Sequence, residues 1–309
     1  MFRAPRAAVL ACSLIALMSS FGTVVADADP LPENFSYSAG FANERTNPGG
    51  SLPGSNDFGC KPTTAHPRPV VLVHGTAGGE QITWSAYVPM LKNAGFCVFN
   101  LTYGAIPGPW PVSAIGAMNP IESSARQLGE FVDRILTATG ASTVDIVGHS
   151  QGTLMPEYYA KVLGGRSTIT NYVSLAPLWL GTRVSGGDGL PALFERLGLP
   201  DTAFPICQAC GQFVAGSELI NEVNADGTPY LKGIEYTNIG TRYDEQVVPY
   251  TQGMVPGLPG YDVTNIVVQD GCEQDTSDHF ELTGTKRAAY MVLNALDPAN
   301  QREVPCGRE

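Results

Sequence analysis

The chain has 309 residues, with 29 Asp and Glu against 18 Lys and Arg, a formal net charge of −11. So acidic a chain excludes a basic phosphate-binding surface, because nucleic acid binding needs clustered Lys and Arg. Hydrophobic residues make up 43% and charged residues 15%. That excludes a disordered chain and leaves one large or two small globular domains, rich in turns given 35 Gly and 24 Pro.

Residues 1–26 have the layout of a secretory signal. Arg3 and Arg6 precede an apolar run over 7–18, and small residues close it, with cleavage expected after Ala26 or Ala28. The run is shorter than the ~20 residues of a membrane span. Export gives the cysteines their meaning. Cys12 leaves with the signal, and Cys60, Cys97, Cys207, Cys210, Cys272 and Cys306 remain. An even number in an oxidising compartment predicts disulfides, with fifteen possible pairings of six cysteines. Zinc at Cys207-x-x-Cys210 would need further ligands. There is no second such pair, and His66, His74, His149 and His279 are far apart in sequence.

Residues 27–69 carry Pro and Gly without sustained periodicity, and are expected to form an irregular arm tied down at Cys60. A domain of residues 70–309 follows. The run 70–73 reads as a buried strand, 84–93 as a helix stopped at Gly95, and 97–101 as a second strand. A long helix is expected next. Asn119 is its N-cap, Pro120 its first residue and Glu122 its capping-box acid. Ile121, Ala125, Leu128, Phe131, Val132, Ile135 and Leu136 recur at helical spacing until Gly140. A strand over 144–147, a helix over 151–162 and a strand over 172–176 continue the alternation. Strands over 234–239 and 263–268 and a helix over 286–296 complete it. Such alternation predicts an α/β fold, a mostly parallel sheet with helices on both faces. Residues 181–233 interrupt the rhythm and are expected to form a cap insertion.

Gly148-His149-Ser150-Gln151-Gly152 lies directly between a predicted strand and a predicted helix. That is the setting in which G-x-S-x-G exposes a serine on a tight turn. A serine hydroxyl needs a base to become a nucleophile. Of the four histidines, His149 is expected to be turned elsewhere by the tight turn, and His66 and His74 precede or end the first strand. His279 remains, after the last strand, where the order Ser…Asp/Glu…His puts the base. The orienting acid is expected in the loop after strand 234–239. Asp244 is the choice there, with Glu245 as local rival and Asp262 and Asp270 as distant ones. An oxyanion hole needs backbone N–H donors. Gln151 is expected to supply one and Thr76, in the loop 74–79, the other, with the Thr76 hydroxyl as a further donor.

The residues Pro69 to Thr76, Asp145 to Gly152, Thr241 to Glu245, Cys272 and Asp278-His279 resemble those of secreted actinobacterial-type triacylglycerol lipases. These lie within the α/β-hydrolase superfamily. The chain is also similar in layout to the fungal lipase B group, from about residue 59 to 306. The resemblance implies Ser150, Asp244 and His279 as a triad and Thr76 with Gln151 as oxyanion hole, and it raises Asp244 over Glu245. Thr153 departs from the third small Gly of many relatives, which suggests a slightly different helix packing. The disulfides expected are Cys60–Cys97, Cys207–Cys210 and Cys272–Cys306.

A secreted serine ester hydrolase acting on neutral lipid esters is therefore the expected function. A cutinase-like polyester hydrolase, an acyltransferase and a non-catalytic lipid-binding protein are the alternatives. Leu190, Leu193, Phe194 and Leu197 recur as an amphipathic helix in the insertion, and Leu193 and Phe194 are expected to wall an acyl pocket with Tyr103 and Trp110. No cofactor or metal is expected. Glu222, Asn224, Asp226 and Gly227 imitate the start of a calcium loop, but Gly233 stands where its bidentate Glu belongs. The expected partner is a water-insoluble ester, met by a monomer in transient contact with a lipid interface, and not nucleic acid.

Overall fold

The computed structural model describes residues 1–2, 29–183 and 207–307. The expected signal segment, and the expected cap helix with Leu193 and Phe194, lie outside the described residues. The chain divides into Met1–Pro30 and Leu31–Glu309, and the second unit holds every element below.

Six parallel strands form one sheet in the order β2-β1-β3-β4-β5-β6. They are β1 (Val70–Val73), β2 (Val98–Asn100), β3 (Val144–His149), β4 (Ile169–Leu175), β5 (Glu235–Gly240) and β6 (Asp262–Val267). Every residue of β1, β2 and β3 is buried. Unbroken burial means that both faces of these strands are covered, which explains why they read as apolar runs without alternation. β2 and β6 are the two edge strands, and unlike β2 none of the residues of β6 is fully buried. Chain order runs outward from β1 to β2, then returns to β3 on the other side of β1. The loops after β1 and β3 thus diverge at neighbouring strand ends, the switch point at which open α/β sheets form their crevice.

Among the described residues the α-helices are α1 (Tyr37–Thr46), α2 (Glu80–Trp84), α3 (Tyr87–Asn93), α4 (Ile121–Thr139), α5 (Gln151–Lys161), α6 (Glu218–Val223) and α7 (Lys286–Leu296). In α4 the predicted stripe from Ile121 to Ile135 is buried, and Gly140 ends the helix at φ +78°. Its start differs from expectation. Pro120 is the N-cap, not the first helical residue, and Asn119 Nδ2 donates to Ala105 O at 3.0 Å. The capping task falls to Gln212, which accepts from Ile121 N at 2.7 Å and donates to both Glu122 carboxylate oxygens at 2.8 Å. The expected helix over 84–93 starts later, as α3 at Tyr87, while Trp84 ends α2; Pro89 has no N–H to carry a ladder bond back to Ser85.

The arm is not wholly irregular. It contains α1, which lies so close to α2 that a Cβ on Gly40 would stand 2.0 Å from Ile82 O. Glu44 in α1 is buried and accepts from Gln81 Nε2 at 2.8 Å, Gly49 N at 2.9 Å and Trp110 Nε1 at 3.0 Å. All three expected disulfides are present: Cys60–Cys97, Cys207–Cys210 and Cys272–Cys306. Among the described residues no three His, Cys, Asp or Glu cluster as metal ligands, and no helix is long and apolar enough to cross a membrane. The residues that imitate a calcium loop have other partners. Asn224 Nδ2 donates to Trp179 O, and Asp226 pairs with Lys161 at 2.6 Å.

Candidate active site

Ser150 sits between β3 and α5 at φ 56°, ψ −124°, a backbone region that non-glycine residues occupy at a cost. The surrounding structure enforces it. A Cβ on Gly148 would stand 2.2 Å from Gly152 O, and one on Gly152 would stand 2.1 Å from Val73 O. Both motif glycines are therefore required by the close approach of helix and strands. Ser150 N donates to Leu175 O at 2.9 Å. Thr153 adds a brace the sequence did not reveal. Its hydroxyl donates to Ser150 O at 2.7 Å and accepts from Leu178 N at 3.0 Å. The branched residue at this position thus ties the elbow to the chain beyond β4 by a hydrogen bond.

His279 is buried after β6, and its Nδ1 lies 2.9 and 3.1 Å from the two oxygens of Asp244. Asp244 Oδ1 also accepts from Gln246 N at 2.9 Å and Val247 N at 2.7 Å. An acid so held fixes the ring orientation and leaves Nε2 as the basic nitrogen. Burial acts to lower the His279 pKa, but the charge and hydrogen bond of Asp244, aided by Glu245 and Asp278, outweigh it and raise the value above 6.5.

The rival acids have other tasks. Glu245 Oε2 accepts from His279 N at 3.2 Å, so it holds the main chain and not the ring. Asp278 Oδ1 accepts from Phe280 N and Glu281 N, both at 3.0 Å. Asp270 pairs with Arg242 at 3.0 Å, and Asp262 opens β6.

His149 is not turned away from this group. Its ring centroid lies 4.7 Å from that of His279, and its Nε2–H donates to His279 O at 2.9 Å. Burial first, then the charge of His279, holds its pKa well below the usual imidazole value, so it serves as a neutral donor. His149 and Ser150 are consecutive, so this contact brings His279 and Ser150 to the same end of the sheet. Among the described residues Ser150 Oγ has no hydrogen-bond partner, and such contacts often tighten only once substrate binds. His74 is fully buried, and its pKa is lowered by burial to about 4. Its Nδ1–H donates to Gly75 O at 2.8 Å, and its Nε2 accepts from Tyr103 N at 3.3 Å.

The loop after β1 closes over the elbow. A Cβ on Gly75 would stand 2.9 Å from Ser150 Cβ. In this loop Ala77 N donates to Gly116 O and Gly78 N to Gly75 O. Thr76 N–H and Gln151 N–H have no partner among the described residues, as an oxyanion hole requires. The Thr76 hydroxyl donates to Gln151 Oε1 at 2.7 Å.

Of the expected pocket residues, Tyr103 and Trp110 both have partners within the protein. Tyr103 is fully buried, its hydroxyl donating to His74 O at 2.7 Å and its ring stacked on His74 at 4.4 Å. Its polar and apolar parts are both satisfied within the core, so it presents nothing to a ligand. Trp110 is exposed, with its indole N–H held by Glu44 of α1. It anchors its loop to the arm.

The comparisons with known proteins agree with this architecture. Residues 67–289 match the family model described as Lipase (class 2). A triacylglycerol lipase of Pseudarthrobacter phenanthrenivorans is 33% identical over 102 residues, covering 30% of this chain and 28% of that protein. One of Burkholderia plantarii is also 33% identical over 102 residues, covering 25% of its length. The chain thus spans about a quarter of the length of these curated relatives. Aspergillus fumigatus lipase B superposes with a TM-score of 0.60 at 18% identity, over 82% of this chain and 57% of that one. Bacillus licheniformis lipase BlEst2 in mature form superposes at 0.52 and 13% identity, over 76% and 94%. These likenesses show the α/β-hydrolase fold. With the family model matching more than half of its length, the chain belongs to the Lipase (class 2) family.

Proposed function

We propose that the protein is a secreted serine ester hydrolase that cleaves neutral lipid esters through an acyl-enzyme at Ser150. The observation that carries this reading is the buried His279–Asp244 pair beside a strained Ser150. Ser150 Oγ attacks the ester carbonyl while His279 Nε2 takes its proton. Asp244 stabilises the imidazolium, and Thr76 N–H and Gln151 N–H bind the oxyanion. The intermediate expels the alcohol, which leaves with the proton from His279. Water, deprotonated by His279, then attacks the acyl-enzyme, and the acid departs as Ser150 regains its proton.

The names of the curated relatives, triacylglycerol lipases, support a lipid ester as substrate. The acidic exterior favours neutral over anionic esters, whose charge it would repel. Exposed Leu180, Tyr243 and Val248 lie on segments next to the site, and support transient contact with a lipid surface. The N-terminal signal pattern and three disulfides support secretion. A series of p-nitrophenyl esters and emulsified triglycerides tests the substrate class. Hydrolysis by the wild type, lost in Ser150→Ala with unchanged circular dichroism, is expected. Full activity in Ser150→Ala would overturn the assignment.

A further inference from the structure

One side-chain contact joins the oxyanion loop to the elbow, and it leaves both partners in an unproductive state. Thr76 Oγ1 donates its single hydrogen to Gln151 Oε1 at 2.7 Å, so that hydrogen is not available to an oxyanion. Gln151 is fully buried, and among the described residues its Nε2 has no hydrogen-bond partner. A buried unpaired N–H is the rarer kind of orphan, whereas a carbonyl oxygen short of a donor is better tolerated.

A half-turn about χ3 exchanges Oε1 and Nε2 while leaving the shape of the side chain unchanged, so hydrogen bonding alone selects between the two orientations. After the turn, Nε2–H donates to Thr76 Oγ1 and the hydroxyl hydrogen is released. It can then join the free N–H groups of Thr76 and Gln151 as a third donor.

We propose that the Gln151 carboxamide is a positioning group that switches the Thr76 hydroxyl. At rest the hydroxyl donates to Gln151, and in the transition state Gln151 donates to the hydroxyl while the hydroxyl donates to the oxyanion. The exchange becomes favourable only as negative charge develops on the substrate oxygen. Its benefit therefore falls on kcat and leaves the KM of short esters little changed. This inference rests on the ester hydrolase reading above.

Glutamate and methionine at position 151 separate a switch from a plain structural tie, since both keep the backbone N–H. An ionised Gln151→Glu side chain accepts the Thr76 hydrogen and cannot donate, so it locks the resting state. Gln151→Met neither holds nor directs the hydroxyl. Assayed with p-nitrophenyl butyrate at alkaline pH, Gln151→Glu should lose kcat on the order of 10²-fold, as Thr76→Val does. Gln151→Met should lose less, and the Thr76→Val/Gln151→Glu double variant should be no worse than either single one. A structural tie predicts additive losses in the double variant, because the carboxylate of Gln151→Glu then repels the oxyanion whether or not the Thr76 hydroxyl is present. Gln151→Met slower than Gln151→Glu, or additive losses in the double variant, would overturn the switch. If the buried carboxylate unfolds Gln151→Glu, the cost of Thr76→Val in a Gln151→Met background decides. A cost that is smaller than in the wild type but still falls on kcat supports the switch, and a cost that vanishes or is equal overturns it. Wild-type hydrolysis and phosphonylation separate the two claims. A wild type that neither hydrolyses the ester nor is phosphonylated at Ser150 overturns the functional reading and the switch with it. An active wild type with the wrong rank order overturns the switch alone.

Discussion

At the residue scale, two adjacent acids divide one task. Asp244 holds the ring of His279 and Glu245 holds its main chain. The motif alone left these two open, since both follow the same strand, and only their hydrogen bonds separate them. Asp244→Asn should lose up to ~10⁴ in kcat through the wrong tautomer, and Glu245→Gln should lose far less. The pH profile gives an independent check. His279 must be neutral to act as base, and its pKa is raised above 6.5. The acid limb of kcat/KM should therefore lie above 6.5 in the wild type. It should move downward in Asp244→Asn, where burial acts without the opposing charge. Thr153 was legible as a departure from pattern, but its hydroxyl bridge was not. Thr153→Ala leaves the buried Leu178 N–H unpaired and should cost about 1–3 kcal/mol in urea unfolding. Thr153→Ser, which restores a hydroxyl, should recover most of it.

At the element scale, the strands were legible because full burial makes them continuous apolar runs, and the hydrophobic stripe of α4 was legible because one face packs inward. α1 was not. Its buried residues are Gly40 and Glu44, so the face it turns to the protein carries no apolar stripe to detect. Gly40→Ala should displace α1 from α2, since its Cβ would meet backbone atoms that cannot yield. Hydrogen exchange in residues 37–46 should accelerate as a result. α5 carries a different device. Glu157 is fully buried, and burial raises its pKa to about 8 against a hydrogen bond from Tyr236 and the charge of Lys161. The folded state thus binds the Glu157 proton more tightly than the unfolded chain. Its contribution is fully present below about pH 4.5 and is lost as pH rises through about 8. Where the two states differ by a whole proton the slope approaches about 1.4 kcal/mol per pH unit. Glu157→Gln should flatten the decline of stability between these limits, as read by denaturation at several pH values.

At the scale of the whole molecule, the disulfides fasten what the sheet does not hold. Cys60–Cys97 ties the arm to the start of β2, and Cys272–Cys306 ties the C-terminal tail to the loop leading to His279. Arg287 reinforces the second tie, donating to Val268 O, Asp270 O and Pro305 O. The sequence separations are 37 and 34 for these two and 3 for Cys207–Cys210. In the chain-entropy model the long pairs contribute about 4 kcal/mol each and the short one about 2. Paired Cys→Ser variants, compared by thermal unfolding, should rank accordingly. The sheet and the grouping of the candidate site were largely legible because Ser150, Asp244 and His279 each follow a strand at the same end. The pocket was not. Tyr103 and Trp110 are aromatic residues in a loop at that end, yet their partners are His74 and Glu44, contacts between distant segments that no local pattern encodes.

The central claim is that Ser150 is the nucleophile. Incubation with a fluorophosphonate, followed by peptide mass spectrometry, tests it most directly. The account predicts one adduct per chain, on Ser150, formed in step with the loss of ester hydrolysis and absent from Ser150→Ala. Inactivation with the adduct on another residue, or an unlabelled Ser150 in a fully inactivated protein, would contradict it.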